Sequence, residues 1–135
     1  MYRIGYHFCW IPKYRRKVFT KGLKKSMKDI LRQIAYEYEW DIKEMEVMDD
    51  HIHLLLSASP KESPAGIVRV LKSKSAREFF QRHPEVKKKY FWGGKLWTSS
   101  YFVETVGNNT CAHMEAYIRE QQKELEKRLK EMKLF

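Results

Sequence analysis

The apolar residues of this chain change period in a set order: two, then 3.6, then two twice over, then 3.6, then two. That order leaves few folds open. Tyr2, Ile4, Tyr6, Phe8 and Trp10 share one parity, with Gly5, His7 and Cys9 on the other, so 2–11 reads as a strand ending at Pro12. Leu23, Met27, Ile30, Leu31, Ile34 and Tyr38 then fall at spacings of three and four, the stripe of a helix that begins near Lys21 and faces a core. Trp40–Met48 reads as a second strand, Met48, Asp49 and Asp50 as a turn, and His51–Ala58 as a third strand. Ser63 is a natural N-cap with Pro64 at the first helical position, and Ile67, Leu71, Ser75 and Phe79 repeat at four until Pro84 ends the helix.

Lys87–Lys95 reads as a basic, glycine-containing loop, and Leu96–Val106 as a fourth strand or a bent pair of strands. Gly107 and two asparagines break it. A long helix is expected from Thr110 to the C-terminus, with Ile118, Leu125, Leu129 and Met132 as its apolar seam. The order β-α-β-β-α-β is the ferredoxin-like pattern: an α+β fold with one antiparallel sheet, two helices on one face, and the other face free for a site or for the additional C-terminal helix. At 135 residues, 1–135 is expected to form a single domain.

Charge narrows the partner. Lys and Arg number 27 against 17 Asp and Glu, a formal +10, which favours a polyanion, with nucleic acid ahead of an anionic membrane. Lys13, Arg15, Arg16, Lys17, Lys21, Lys24, Lys25 and Lys28 fall in 13–28 with no acidic residue among them. No run approaches the ~18 apolar residues of a spanning helix, so no membrane partner is expected. Cys9 and Cys111 lack metal-site or redox spacing and read as reduced, buried thiols. Arg3 and His7 interrupt the early apolar stretch, so no signal peptide is expected. A cytoplasmic location follows, on the nucleoid if the partner is DNA.

The third strand carries the clearest chemistry. Ile52, Leu54, Leu56 and Ala58 share one face; His51, His53, Leu55 and Ser57 share the other. The two imidazoles therefore project side by side, close enough to hold one divalent ion. A His-X-His triplet alone is more often a surface or structural pair. Here it opens an apolar strand, where unsatisfied polar groups are costly, and Asp49 and Asp50 precede it as possible ligands or hydrogen-bond partners. Two ligands make a weak site, so a third is expected from elsewhere in the fold.

His51-Ile52-His53 has the His-hydrophobic-His form of the HUH nucleases, and its surroundings resemble the single-tyrosine transposases of small bacterial and archaeal insertion sequences. The resemblance runs from Tyr6-His7-Phe8 through Trp10-Ile11-Pro12-Lys13-Tyr14-Arg15-Arg16-Lys17 to Met48-Asp49-Asp50-His51-Ile52-His53-Leu54-Leu55. It continues through Ser63-Pro64-Ala65, Leu71-Lys72, Trp92-Gly93-Gly94-Lys95-Leu96-Trp97 and Tyr101-Phe102-Val103-Glu104-Thr105-Val106-Gly107 to Tyr117-Ile118-Arg119-Glu120-Gln121-Gln122. Each stretch alone is unspecific; together, in order, they span nearly the whole chain. Asp49 departs from the pattern, a proline being common there.

The resemblance implies Tyr117 as nucleophile and His51, His53 and Gln121 as metal ligands. Tyr117 and Gln121 stand at i and i+4, neighbours on one helix face. It further implies single-stranded DNA with a hairpin at each element end as partner, cleavage through a 5′-phosphotyrosine, and a homodimer whose active sites are shared. Two imidazoles, an amide oxygen and phosphate oxygens suit Mg²⁺ or Mn²⁺ better than Zn²⁺. Lys13, Arg15, Arg16, Lys17, Arg69, Lys72, Lys74 and Arg77 are the candidate phosphate contacts, and Tyr14, Tyr90, Phe91 and Trp92 the candidate base-stacking residues. Runs of Lys and Arg are also commonly just solvated faces.

Three other readings stand beside this one. A domesticated relative would bind hairpins without transposing; the presence of His51, His53, Tyr117 and Gln121 argues against it. A ferredoxin-like RNA-binding module would expose aromatics on the sheet, where this chain has His51 and His53. A metal hydrolase acting through water would keep its activity in Tyr117→Phe.

Overall fold

The computed structural model describes residues 3–91 and 93–106, and seven positions of the C-terminal segment. Its elements are β1 (Ile4–Trp10), a 3-10 turn (Lys13–Arg15), α1 (Gly22–Glu37), β2 (Asp41–Met48), β3 (His51–Ala58), α2 (Pro64–Arg82), α3 (Pro84–Tyr90) and β4 (Phe102–Val106). The strands form one sheet in the order β2-β3-β1-β4, with every neighbouring pair antiparallel. This is the ferredoxin-like arrangement that the periodicities require, with β3 and β1 in the centre.

One face of the sheet makes the core. Tyr6, Phe8 and Trp10 of β1 and Ile52, Leu54, Leu56 and Ala58 of β3 meet Met27, Ile30, Leu31 and Ile34 of α1 and Ile67, Leu71 and Phe79 of α2. Both helices lie on this face because each presents one apolar stripe. Ser63 caps α2 by accepting a hydrogen bond from the Gly66 amide at 3.0 Å, and Pro64 opens the helix. The opposite face carries His7 and Cys9 from β1 and His51, His53, Leu55 and Ser57 from β3. All six side chains are buried, so the metal-ligand candidates sit in a low-dielectric layer.

One element differs from the periodicity reading, and a second settles between its two alternatives. Pro84 does end α2, but it also occupies the first turn of α3, where a missing N–H costs nothing; part of the expected 87–95 loop is therefore helical, with Val86 and Phe91 packed in the core. The fourth strand is the bent alternative: β4 pairs with β1 from Phe102 to Val106, while Trp97 bridges to Pro12. That bridge is fixed by hydrogen bonds from the Lys13 amide to the Leu96 carbonyl at 2.7 Å and from the Thr98 amide to the Ile11 carbonyl at 3.1 Å. Of the expected C-terminal helix, Glu120, Lys123, Glu124, Glu126, Lys127, Lys130 and Glu131 are described, all helical and exposed. Tyr117, Gln121, Cys111, Trp92 and the seam residues Ile118, Leu125, Leu129 and Met132 lie outside the described residues.

Candidate metal and DNA site

The site begins at a tight hairpin. Met48 and His51 are register partners, so Asp49 and Asp50 alone make the turn from β2 to β3. The two carboxylates diverge. Asp49 pairs with Lys24 at 2.9 Å, in the open. Asp50 turns inward: its Oδ1 lies 2.8 Å from His51 Nδ1 and its Oδ2 lies 3.0 Å from Arg15 Nε. A carboxylate only accepts, so His51 donates from Nδ1, and in the neutral ring Nε2 is the nitrogen that carries the lone pair.

His51 and His53 stand two apart on one face, with ring centroids 4.7 Å apart. Their exposures are 5% and 6%, and the Nε2 atom of each is buried without a hydrogen-bond partner. Two adjacent orphaned ring nitrogens in a buried layer are costly unless something binds them. They match the donor chemistry of a divalent ion, and Asp50 supplies the partner that orients a ligating imidazole. Burial, then the neighbouring His51 and His7, lowers the His53 pKa to about 3, so this ring is neutral and ligand-competent at pH 7. Among the described residues no group of three His, Cys, Asp or Glu is placed to hold a metal; Gln121, the third ligand implied by the resemblance, lies outside them.

His7 joins this face unannounced. It pairs in register with Leu55, two positions from the Cys9–His53 pair, and its ring centroid lies 5.8 Å from that of His53. Burial lowers its pKa against the opposing effect of Glu104, and its Nδ1 is another buried atom without a hydrogen-bond partner. Its parity in the first strand was the available signal, but that signal does not reveal the register of β1 against β3. Cys9, next to His53, is pushed up to about 12 by burial and is an inert thiol.

The basic residues do not form one strip. Arg15 is committed to Asp50, which ties the Lys13–Arg15 turn to the histidine pair. Tyr14 and Arg15 have positive φ, 63° and 50°, an uncommon backbone for such residues. Tyr14 is 51% exposed, with Lys13 and Arg16 over its ring; Arg16 also lies 5.7 Å from the Tyr90 ring. Lys17 is exposed. The α2 residues divide: Lys74 lies beside Glu37 and Tyr38, and Arg77 lines a cleft between α1 and α2. Lys72 spends two donors on the Thr98 and Ser100 carbonyls, at 2.6 and 3.1 Å, and burial lowers its pKa. Arg69 is exposed beside the 94–101 segment. Phe91 is buried in the core and offers no ring for stacking, whereas Tyr14 and Tyr90 retain accessible edges. No helix of the described residues is long and apolar enough to cross a membrane.

Residues 1–121 match the family described as IS200-like transposases. The chain is 44% identical over 121 residues to the ISDra2 transposase TnpA of Deinococcus radiodurans, covering 90% of this chain and 86% of that protein. It is 36% identical to the transposase for insertion sequence element IS200 of Salmonella typhimurium over 119 residues, covering 88% and 77%. A crystal structure of a putative transposase from Deinococcus radiodurans superposes with a TM-score of 0.73 at 40% identity, covering 90% and 92%. A REP-associated tyrosine transposase bound to a REP hairpin, at 12% identity and a TM-score of 0.58, shares the fold, covering 84% of this chain and 61% of that one. The match over residues 1–121 and the 44% identity to a transposase agree: the chain belongs to the IS200-like transposase family.

Proposed function

We propose that this transposase cleaves and rejoins single-stranded DNA at hairpin-bearing element ends through a covalent 5′-phosphotyrosine on Tyr117, with a divalent metal held by His51, His53 and Gln121. The observation that carries the reading is the pair of buried, unpartnered Nε2 atoms on His51 and His53, with Asp50 fixing the His51 tautomer. The family match runs through residue 121, so the sequence positions of Tyr117 and Gln121 fall within it. The hairpin-bound neighbour supports the DNA form.

The Tyr117 oxygen attacks the scissile phosphorus and loses its proton; the bond from phosphorus to the 3′ oxygen breaks, and that oxygen takes up a proton as a free 3′-OH. The phosphodiester is exchanged, not hydrolysed, so attack by a 3′-OH on the phosphotyrosine reseals DNA without a nucleotide cofactor. A phenol with pKa ~10 is a poor nucleophile at neutral pH. When bound, Mg²⁺ or Mn²⁺ would supply charge neutralisation and orientation at the phosphate. The protein's part is to hold two imidazoles side by side in a buried layer, to fix one of them through Asp50, and to anchor the Arg15 turn to the same carboxylate. In a homodimer the tyrosine helix of one subunit completes the histidine site of its partner.

Labelled single-stranded DNA from the element ends, incubated with Mg²⁺ and resolved on denaturing gels, tests this. A protein–DNA band that requires both metal and Tyr117 supports it. Cleavage that survives Tyr117→Phe points to hydrolysis by activated water instead.

A further inference from the structure

The Lys13–Arg15 turn faces two ways. Tyr14, Arg16 and Lys17 are exposed on its outer side, with Lys13 and Arg16 over the Tyr14 ring. Arg15 is half-buried, and its Nε stands 3.0 Å from Asp50 Oδ2. The other Asp50 oxygen lies 2.8 Å from His51 Nδ1, so a single carboxylate separates the turn from a metal-ligand candidate. We propose that Arg15 is a positioning residue and not a phosphate contact: through Asp50 it makes metal binding at His51 and strand binding on the 13–17 turn depend on each other. The inference rests on the metal and single-stranded DNA reading above.

Three observations support this role. The segment that follows the turn grips the same β2–β3 hairpin twice more: the Phe19 amide donates to the Asp49 carbonyl at 3.0 Å, and Lys24 pairs with Asp49 at 2.9 Å. Those two contacts hold the hairpin backbone and its outward carboxylate; of the three, the Arg15 contact is the one that reaches the carboxylate orienting His51. The turn is also strained. Tyr14 and Arg15 have φ of 63° and 50°, a shape that such residues keep when their surroundings impose it. Its ends are fixed by hydrogen bonds from the Lys13 amide to the Leu96 carbonyl at 2.7 Å and from the Arg15 amide to the Pro12 carbonyl at 2.8 Å, and the Arg15–Asp50 pair braces it from within. Finally, the pair is more than an isolated surface contact, because its carboxylate is shared with a buried imidazole. A strand that stacks on Tyr14 and lays phosphates on Arg16 and Lys17 stabilises the turn from outside. A metal on His51 stabilises the imidazole–carboxylate contact from inside. Both ligands favour the one arrangement in which Arg15 rests on Asp50, so each tightens the other by the same factor.

The test uses full-length Tyr117→Phe protein, which leaves the strand intact, and an element-end strand that stops short of the cleaved phosphate, so that no phosphate of the cleavage site reaches the metal. Mn²⁺ is titrated by calorimetry with and without the strand, and the strand with and without Mn²⁺. Saturating strand should tighten Mn²⁺ about tenfold, and saturating Mn²⁺ should tighten the strand equally. Arg15→Gln, added to this parent, should still bind each ligand alone but bring the factor close to one. Asp50→Asn breaks the same pair from the other side and should do likewise, which decides the matter if Arg15→Gln is unstable. Arg15→Lys, which keeps a cation without the planar fork, should retain part of the factor. Lys24→Ala, which removes a different grip on the hairpin, should leave it unchanged. Arg16→Ala should lower the salt dependence of strand binding by about one phosphate, and Arg15→Gln should not. A parent-sized factor in Arg15→Gln or Asp50→Asn, a factor of one in the parent, or a salt slope that falls in Arg15→Gln as in Arg16→Ala would overturn the role of Arg15 and leave the tyrosine chemistry intact. Parent protein that binds neither Mn²⁺ nor the strand would overturn the reading beneath it.

Discussion

Asp50 accepts a hydrogen bond from His51 Nδ1 at 2.8 Å, which leaves Nε2 as the unpartnered nitrogen of a ring whose centroid lies 4.7 Å from that of His53. The second Asp50 oxygen, held 3.0 Å from Arg15 Nε, keeps the carboxylate from rotating away.

Removing that partner should therefore loosen the metal without removing a ligand. Asp50→Ala is expected to weaken Mn²⁺ binding roughly 10–100-fold, measured by calorimetric titration. Asp50→Asn, which keeps an accepting oxygen, should lose less. Equal affinities in wild type and Asp50→Ala would show that the carboxylate does not orient the ligand.

Acid should destabilise the metal-free protein through the histidine face. Burial is the main cause that lowers the pKa of both His53, to about 3, and His7. In the unfolded chain a histidine titrates near ~6.5. Below that pH the unfolded state takes up protons that the folded state refuses, so stability is complete above ~6.5 and falls as the pH drops toward 3. The slope approaches ~1.4 kcal/mol per pH unit for one such group. With EDTA present, the urea midpoint should be lower at pH 5 than at pH 7.5, and His53→Gln should flatten the difference. Identical midpoints would contradict the burial of neutral rings.

Cys9 should be silent to thiol reagents. With its pKa pushed to about 12, roughly one thiol in 10⁴ is ionised at pH 8. In a Cys111→Ser background, Ellman's reagent should find no reactive thiol in the native protein and one after guanidinium unfolding. Rapid labelling of the folded protein would place Cys9 at the surface.

Trp97 needs its partner. Its Nε1 donates to Ser75 Oγ at 3.0 Å in a buried environment. Ser75→Ala leaves that donor orphaned and should cost ~1–3 kcal/mol in urea unfolding. Adding Trp97→Phe should cost less than the two single changes summed, because the pair shares one interaction. Additive costs would mean that the bond contributes nothing.

Much of this was legible in the residues. The β3 boundaries, His51 to Ala58, follow from strict parity, and Ser63 with Pro64 fixes the start of α2. Proline proved ambiguous at Pro84, where it ends one helix and opens the next, because a residue without an N–H suits both positions. Leu96–Val106 was divided by pairing: Trp97 pairs with Pro12 beyond the end of β1, and only Phe102–Val106 joins the sheet. Phe91 looked available for stacking because local composition says nothing of which ring the core will recruit. His7 and the Arg15–Asp50 contact depend on strand register and on a turn with positive φ, long-range facts that no local period carries. The divided α2 cations have the same origin: Arg69 and Lys74 differ in what packs beside them, not in type.

The proposed chemistry stands or falls on the bond between Tyr117 and DNA. The covalent complex, formed with Mg²⁺ on an element-end strand and digested with protease, can be read by mass spectrometry. The expected product is a peptide containing Tyr117 that carries the 5′-phosphate of the downstream strand, with a free 3′-OH on the released strand. A cleaved strand ending in a free 5′-phosphate with no peptide attached, or a peptide carrying a different tyrosine, would contradict it.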